Sequence, residues 1–314
     1  MNTTSTIPAP VQVSLDKKLL AQEQPNLIFS LFATKRTMPR NAGTTLRMSR
    51  MSKLNLALAE LGNSGLDPVG QAVNLSHIDA RIQFHGTFVE MNEQVTLTNQ
   101  CPILNETAKV LGICLRETED QLTKAVLAAT STVINMTSGT NGDTPTELNA
   151  EDLADVRTGL LAASALSISS TIEGQNKFGT APVRNAFFVL SHTDIAKDLR
   201  RATGFEHSSK YPSQTGILPS EEGVIDNFRF LISPLGSITA KSSSLGNDLY
   251  NNIVTGMDSH TIIDQDGFSA RTIYRPPIYS GPLAQNFTLG FVMSFAGAIT
   301  HDTWVANIRS TLGA

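Results

Sequence analysis

The chain is poor in cysteine, aromatic residues and charge. Only Cys101 and Cys114 occur among 314 residues, with no CxxC pair. That excludes a disulfide framework and a cysteine-rich zinc site, and it points to a reducing cytoplasm as the place of synthesis. Aromatic residues make up 6% and charged residues 17%, a composition that suits subunits hiding part of their surface against one another. The longest apolar run, Phe287 to Ile299, contains polar members and falls short of the ~20 residues a spanning helix needs, so it reads as a buried strand and no membrane partner is expected. The N-terminus, MNTTSTIPAPVQVSLDKK, has neither a basic start nor an apolar segment and does not read as a secretory signal.

Catalytic signatures are missing too. The sequence holds no GxGxxG, GxSxG, HExxH or P-loop pattern, so dinucleotide, serine-hydrolase, zincin and P-loop chemistry lack their usual supports. Six histidines are scattered without an i, i+4 pair, and neither a metal site nor a cofactor is expected. Asp264, Asp266 and Gly267 begin like a calcium loop, but the closing Glu is absent and a turn is the simpler reading. His192 and Asp194, at the end of a strand, are the best candidates for a catalytic dyad; the alternative, which we prefer, is that they and Thr193 cap the following helix. Asn-x-Ser/Thr at positions 2, 74, 105, 135 and 286 is what chance gives in a chain rich in Asn and Thr. With a net charge of -4 and a pI near 5.9, there is no basic footprint for gripping nucleic acid.

What is present is patterned for assembly. Residues 1 to about 40, with Pro8, Pro10, Pro25 and Pro39, read as an extended arm. Gly43 to Lys53 and Ile78 to Phe88 read as the two strands of a long projection, with Ile82, Phe84, Thr87 and Phe88 as its packing residues and a Gly-rich stretch between the strands. Two strands cannot bury a hydrophobic face between themselves, so the projection needs a partner surface. Lys35, Arg36, Arg40, Arg47, Arg50 and Lys53 lie in a window without Asp or Glu. Lacking aromatics to stack bases, this window is better suited to meet acidic side chains such as Glu90 and Glu93 of another copy. The candidate contacts between subunits are therefore Arg40, Leu46, Arg47, Met48, Arg50, Met51, Lys53, Glu90 and Glu93.

Leu104, Ala108, Leu111, Leu115, Thr118, Leu122, Ala125 and Ala129 form one helical stripe over 102 to about 134, ~45 Å long at 1.5 Å per residue. Asn149 and Asp152 read as a capping box for a helix to about Leu166. Ala186 to Leu190 and Phe228 to Ser233 read as buried strands around a helix at Thr193 to Thr203 and a long polar loop. Tyr250 to Gly256, Ser269 to Tyr274 and Phe287 to Ala296 read as further strands.

The order of these pieces, GTTLR from Gly43, IQFHG ending at Gly86, LGICLRETEDQL, NKFGTAPV before FFVLSHTDIAKDLRRATGF, YPSQTGILPSEEGVIDNFRFLIS, DLYNNIVTG and SGPLAQNFTLGFVMSFAGA, resembles the major capsid proteins of tailed double-stranded DNA bacteriophages. The resemblance implies an α+β fold of the Hong Kong phage type, with an N-terminal arm (1–40) and an extended β-hairpin loop (41–88). A peripheral domain with a long spine helix (89–147), an axial domain (148–268) and C-terminal strands returning to the peripheral domain (269–314) complete it. It implies a non-enzymatic subunit of hexamers and pentamers in an icosahedral shell around double-stranded DNA, held without sequence-specific binding. The partners implied are the chain itself, a portal protein, and scaffolding or decoration proteins where these exist. The place implied is the virion, and the host cytoplasm during assembly. Some members cross-link through Lys and Asn, but no local pattern here singles out a pair. A protein nanocompartment shell of the same fold, or a cytoplasmic α+β enzyme with its pocket near His192 and Asp194, stay open as alternatives.

Overall fold

Short runs of β-branched, aromatic and aliphatic residues, punctuated by Gly, Pro and Asn, fold mostly into strands. The computed structural model describes residues 24–54, 70–98, 103–168, 186–211, 217–276 and 285–313. The elements are β1 (Thr34–Met38), β2 (Thr45–Met51), β3 (Leu75–Arg81), β4 (Gln83–Asn92), α1 (Glu93–Thr98), α2 (Ile103–Ala128), β5 (Val133–Asn135) and α3 (Ala150–Ala162). They continue with β6 (Phe187–His192), α4 (Ala196–Arg201), β7 (Glu206–His207), β8 (Glu221–Ile225), β9 (Phe228–Ser233) and β10 (Ser237–Thr239), and end with β11 (Leu249–Thr255), β12 (His260–Gln265), β13 (Ala270–Arg275), β14 (Asn286–Ile299) and β15 (Val305–Ser310). The expected arm ahead of Gln24, Gly62 and Gly65, and the NKFGTAPV and SGPL stretches lie outside the described residues.

The chain divides into two units, the smaller gathering Thr87–Cys114 and Thr272–Phe291, the larger Pro25–Gly86, Leu115–Arg271 and Val292–Ala314. In the larger, a sheet runs β5-β15-β11-β6-β9-β8-β7, with β10 added on β11. Both of its faces are covered. Phe187, Val189, Phe228, Phe230, Val254 and Ile308 meet Leu153, Val156 and Leu160 of α3 on one side. Phe188, Leu190, Leu231 and Ile253 meet Ile28, Phe29, Phe32 and Leu127 on the other. A strand covered on both faces has no polar side to show, which is why FFVL is unbroken in the sequence. Phe32 stacks on Phe188 with ring centroids 4.2 Å apart. Ile28, Phe29 and Phe32, in a segment read from the sequence as part of an extended arm, thus lie in this unit's own core.

That segment is also tied by its backbone. Asp120 of α2 accepts the N–H groups of Phe29 and Ser30, each at 2.9 Å, and the Ser30 hydroxyl at 3.1 Å. The carboxylate is fully buried; burial raises its pKa while these donors pull it down, and burial prevails. In this unit the buried face of α2 carries Asp120, Thr123 and Leu127, whereas Ala125 is exposed. The apolar stripe read from the sequence is therefore not the packed face here. A helix that must supply hydrogen-bond acceptors to an irregular segment hides polar residues on its inner side. The helix also ends at Ala128 rather than near 134: Asp302 takes the Thr130 hydroxyl at 2.8 Å and the Ser131 N–H at 3.2 Å, and 133–135 join β15 as a parallel strand.

Asn149 caps α3, its side chain accepting from Glu151 N. Asp152, however, does not close a capping box. It turns outward from the helix to accept Thr137 N at 2.8 Å, Ser138 N at 2.9 Å and Ser138 Oγ at 2.7 Å, because the loop ahead of α3 has backbone donors with no strand to pair with. Burial pushes its pKa up, but the donors of Ser138 and Thr137 win and hold it down.

Also within the larger unit, β1 lies parallel to β12, which pairs antiparallel with residues 296–299 of β14. β2 and β3 form an antiparallel hairpin in register from Thr45↔Arg81 to Met51↔Leu75. The expected continuous strand from Ile78 to Phe88 breaks at Ile82 into β3 and β4, and of its predicted packing residues Ile82 is buried while Phe84 and Phe88 are 58% and 68% exposed. In the smaller unit, Tyr274 and Phe287 lie 6.0 Å apart, Asn286 donates to Glu90 at 3.2 Å, and a Cβ on Gly290 would come within 2.7 Å of the Thr87 carbonyl oxygen.

His260, at the start of β12, is buried, and burial pushes its pKa down to about 4, opposed in part by a backbone hydrogen bond at Phe29. The unfolded chain takes up this proton near pH 6.5 and the folded chain does not, so stability is lost as pH falls from 6.5 towards 4, by about 3 kcal/mol in full. Asp120 and Glu119, whose pKa values are raised mainly by burial, change in the opposite sense. The clean measure is therefore the urea midpoint of His260→Gln against the parent at pH 7 and 4.5. The parent's midpoint is expected to fall more; equal falls would show that His260 does not stay neutral in the fold.

Candidate assembly surface

The hairpin carries most of the candidate contacts, and the fold divides them between base and tip. At the base, Met48 joins Met38, Ala80, Ile82, Ile263, Ala296 and Ala298 in a buried cluster, with Leu46 and Ile78 packed against it. Towards the tip the same strands carry exposed Met51 (71%) and Leu75 (50%), flanked by Leu54 and Val73. Sheltering four such side chains is worth roughly 1.5–3 kcal/mol apiece, and an exposed apolar group on a two-stranded ribbon is the ordinary mark of a surface that another molecule covers.

The charges divide likewise. Arg47 grips Asp79 across the hairpin through two bonds of 2.7 Å, a fork-to-fork pair. Its hydrogen bonds raise the Arg47 pKa and lower that of Asp79. Arg40 donates through Nε to the Asp266 carbonyl at 2.9 Å; Gly267 supplies the positive φ of +67 that this turn takes. Arg50 reaches His301 Nδ1 at 2.6 Å. Arg36 and Lys53 are exposed and form no ion pair among the described residues. Glu90, in the smaller unit, accepts from Asn286, and Glu93 lies exposed at the start of α1. The basic window is thus partly neutralised within the chain. Asp79 neutralises Arg47, while His301 holds Arg50 as an uncharged acceptor; neither was legible as a partner, because they lie 32 and 251 residues away.

The dyad alternative at His192 fares differently. Its Nε2 lies 3.0 Å from the Pro234 carbonyl, to which it donates, and its Nδ1 accepts the Asp194 N–H at 3.2 Å. The imidazole is the cap of the turn Thr193–Ile195, so both ring nitrogens are engaged. Asp194 in turn accepts the Tyr250 hydroxyl at 3.0 Å, and burial first, then this bond, pushes the phenol up to about 12. A cleft of about 390 Å³ lined in part by Thr140, Asn141, Glu147 and Asp198 is occupied in the same way. Glu147 accepts Thr140 N at 2.6 Å and Asn141 N at 3.0 Å, and Asp198 accepts Gly313 N at 2.9 Å. These carboxylates accept backbone hydrogen bonds that tie the loop and the C-terminal residues to the rest of the unit.

The chain has the α+β fold of the Hong Kong phage type, shared with solved phage capsid structures. The capsid of Ralstonia phage GP4 matches with a TM-score of 0.74 at 12% identity, over 100% of this chain and 99% of that one. The capsid of cyanophage P-SCSP1u matches at 0.67 and 13%, over 96% and 94%, and the capsid asymmetric unit of cyanophage Pam1 at 0.63 and 13%, over 100% of both. No family model matches the sequence, and no curated protein does.

Proposed function

We propose that the chain is the major capsid protein of a tailed double-stranded DNA bacteriophage, a non-enzymatic subunit that assembles into hexamers and pentamers of an icosahedral shell. The observation that supports this most is the end-to-end likeness to a phage capsid chain, 100% of one against 99% of the other. The segment ahead of Pro25 acts as the arm, the outer part of 41–88 as the loop laid on neighbours, 89–147 and 269–314 as the peripheral domain and 148–268 as the axial domain. Met51, Lys53 and the exposed remainder of the basic window meet the next copy, with Glu90 and Glu93 as acidic counterparts. Contacts between unlike patches close into rings, and obligate interfaces of roughly 2,000 Å² or more hold such rings by summed burial.

A mildly acidic subunit suits a container for DNA, since strong attraction would hinder the genome's movement. Portal, scaffolding and decoration proteins would be its further partners, the virion its final place and the host cytoplasm its place of assembly. Electron microscopy of the purified recombinant chain tests the reading. Rings, tubes or closed particles of uniform wall thickness are expected, and monomers alone across concentration and salt would overturn it.

A further inference from the structure

One contact joins the outer part of the hairpin to the rest of the larger unit through a titratable group. Arg50, near the end of β2, donates through Nη1 to Nδ1 of His301 at 2.6 Å and reaches the Thr300 carbonyl at 3.5 Å. A guanidinium only donates. Nδ1 must therefore hold a lone pair, and the contact exists only while His301 is neutral with its proton on Nε2. The surroundings fix the ring in the orientation this contact needs. It lies flat on Trp304, centroids 4.0 Å apart and 12° from parallel, and its backbone N–H is held by the Ser259 carbonyl at 3.1 Å.

Among the described residues no other charged side chain hydrogen-bonds or ion-pairs with the His301 ring. Asp258, in the turn before β12, accepts the Thr34 hydroxyl at 2.8 Å. Asp302, next in the chain, is taken by Thr130 and Ser131. His77 of β3 stays on the hairpin, 2.9 Å from the Ser49 hydroxyl. A proton on Nδ1 would place two cations in contact with no acceptor between them.

We propose that Arg50 and His301 form a latch that holds the outer hairpin to the subunit body at neutral pH and releases it when His301 is protonated. The freed part is Ser49–Lys53 with Asn74–His77, because Met48, Ala80 and Ile82 remain in their cluster. Burial first and Arg50 second hold the His301 pKa below the ordinary imidazole value, and Asp258 opposes them. The released ring takes its proton near the ordinary value, about 6.5. Latching is thus fully present above that pH and is lost as pH falls through it towards the lower value of the latched state. The latch stands on these contacts alone; that its release would free the loop for neighbouring copies rests on the capsid reading.

The chain carries its own reporter. Trp304 is the single tryptophan, and an imidazolium stacked on an indole quenches its emission. In the full-length protein, Trp304 emission should fall on acidification with a midpoint below 6.5. In Arg50→Gln that midpoint should move up by about half a pH unit or more, while Arg50→Lys, keeping charge and donor, should restore most of the parent's value. Amide exchange, corrected for intrinsic rate, should show peptides from 49–54 and 70–77 losing about tenfold protection between pH 7.5 and 5 in the parent, with Arg50→Gln unprotected at both. An unchanged midpoint in Arg50→Gln, or hairpin protection in the parent indifferent to pH, overturns the latch. Neither reading requires a particle to form, so failure here and failure of the capsid assignment are told apart.

Discussion

Replacing residues 51–75 by an Asn-Gly turn joining Arg50 to Ser76 should give a folded subunit that forms no closed particle. Arg50 and Ser76 are opposite partners in the hairpin, and Asn-Gly is the two-residue connection whose twist suits antiparallel strands. The cut spares what the subunit needs for itself, since Met48, Ala80 and Ile82 stay in their buried cluster and Arg47 keeps Asp79. What goes is the surface the subunit cannot use alone: Met51, Leu54, Val73 and Leu75, 71%, 51%, 52% and 50% exposed. Circular dichroism and size exclusion should report a native-like monomer, and micrographs should show an empty field. Particles of normal yield and diameter would mean that this ribbon carries no assembly contact.

Arg229→Met should cost the subunit about 3–5 kcal/mol, the range for stranding one member of a buried ion pair. Arg229 in β9 and Glu221 in β8 are 1% and 0% exposed at their side chains and meet through two bonds, Nε to Oε1 at 2.8 Å and Nη2 to Oε2 at 2.5 Å. The guanidinium also lies 4.9 Å over the Phe188 ring. Among the described residues the carboxylate then keeps the Tyr211 hydroxyl at 3.1 Å and the Leu218 N–H at 3.2 Å, too little to hold a charge in an apolar sheet.

Adding Glu221→Gln should recover much of the loss, because a neutral amide can accept the Leu218 N–H through its oxygen and donate through its NH2 to the Tyr211 hydroxyl oxygen while carrying no charge. A total stability of about 5–15 kcal/mol is usual for a domain, so the single change should move the urea midpoint by a third of its value or more. The truncated monomer is the right background, since assembly would otherwise mask it. A single variant within about 1 kcal/mol of the parent would show that water reaches Glu221 and solvates it.

Glu221 also shows where a chain read in one dimension misleads. Polar residues between 204 and 227 read as a long loop, yet Glu221–Ile225 is a wholly buried strand. A charged residue enters a core only if its counterion is already there, and Arg229 faces it across β9 only after the sheet closes. The α2 stripe held only in part, for the same reason in reverse: Leu111 is buried, but the irregular segment at Phe29 and Ser30 needed an acceptor, so further along the helix the face bearing Asp120 turned inward and Ala125 stayed exposed. His192, by contrast, was legible as a cap because its partner, the Asp194 N–H, is two residues away.

By itself the sequence determined whatever depends on neighbours along the chain: the buried runs FFVL and FRFLIS, the capped turn at Thr193, the long helix from 103, and the two-stranded projection too thin to bury its own apolar side chains. Period and turn chemistry act over a few residues and are written there. Only the tertiary structure decided which face of that helix is inside, that the hairpin's base is buried in its own subunit while its tip stays exposed, and that Arg50 rests on His301, 251 residues away. Those outcomes depend on which groups are brought within a few ångströms once the sheets close, because hydrogen bonding and charge pairing act over distance in space and leave no period along the chain.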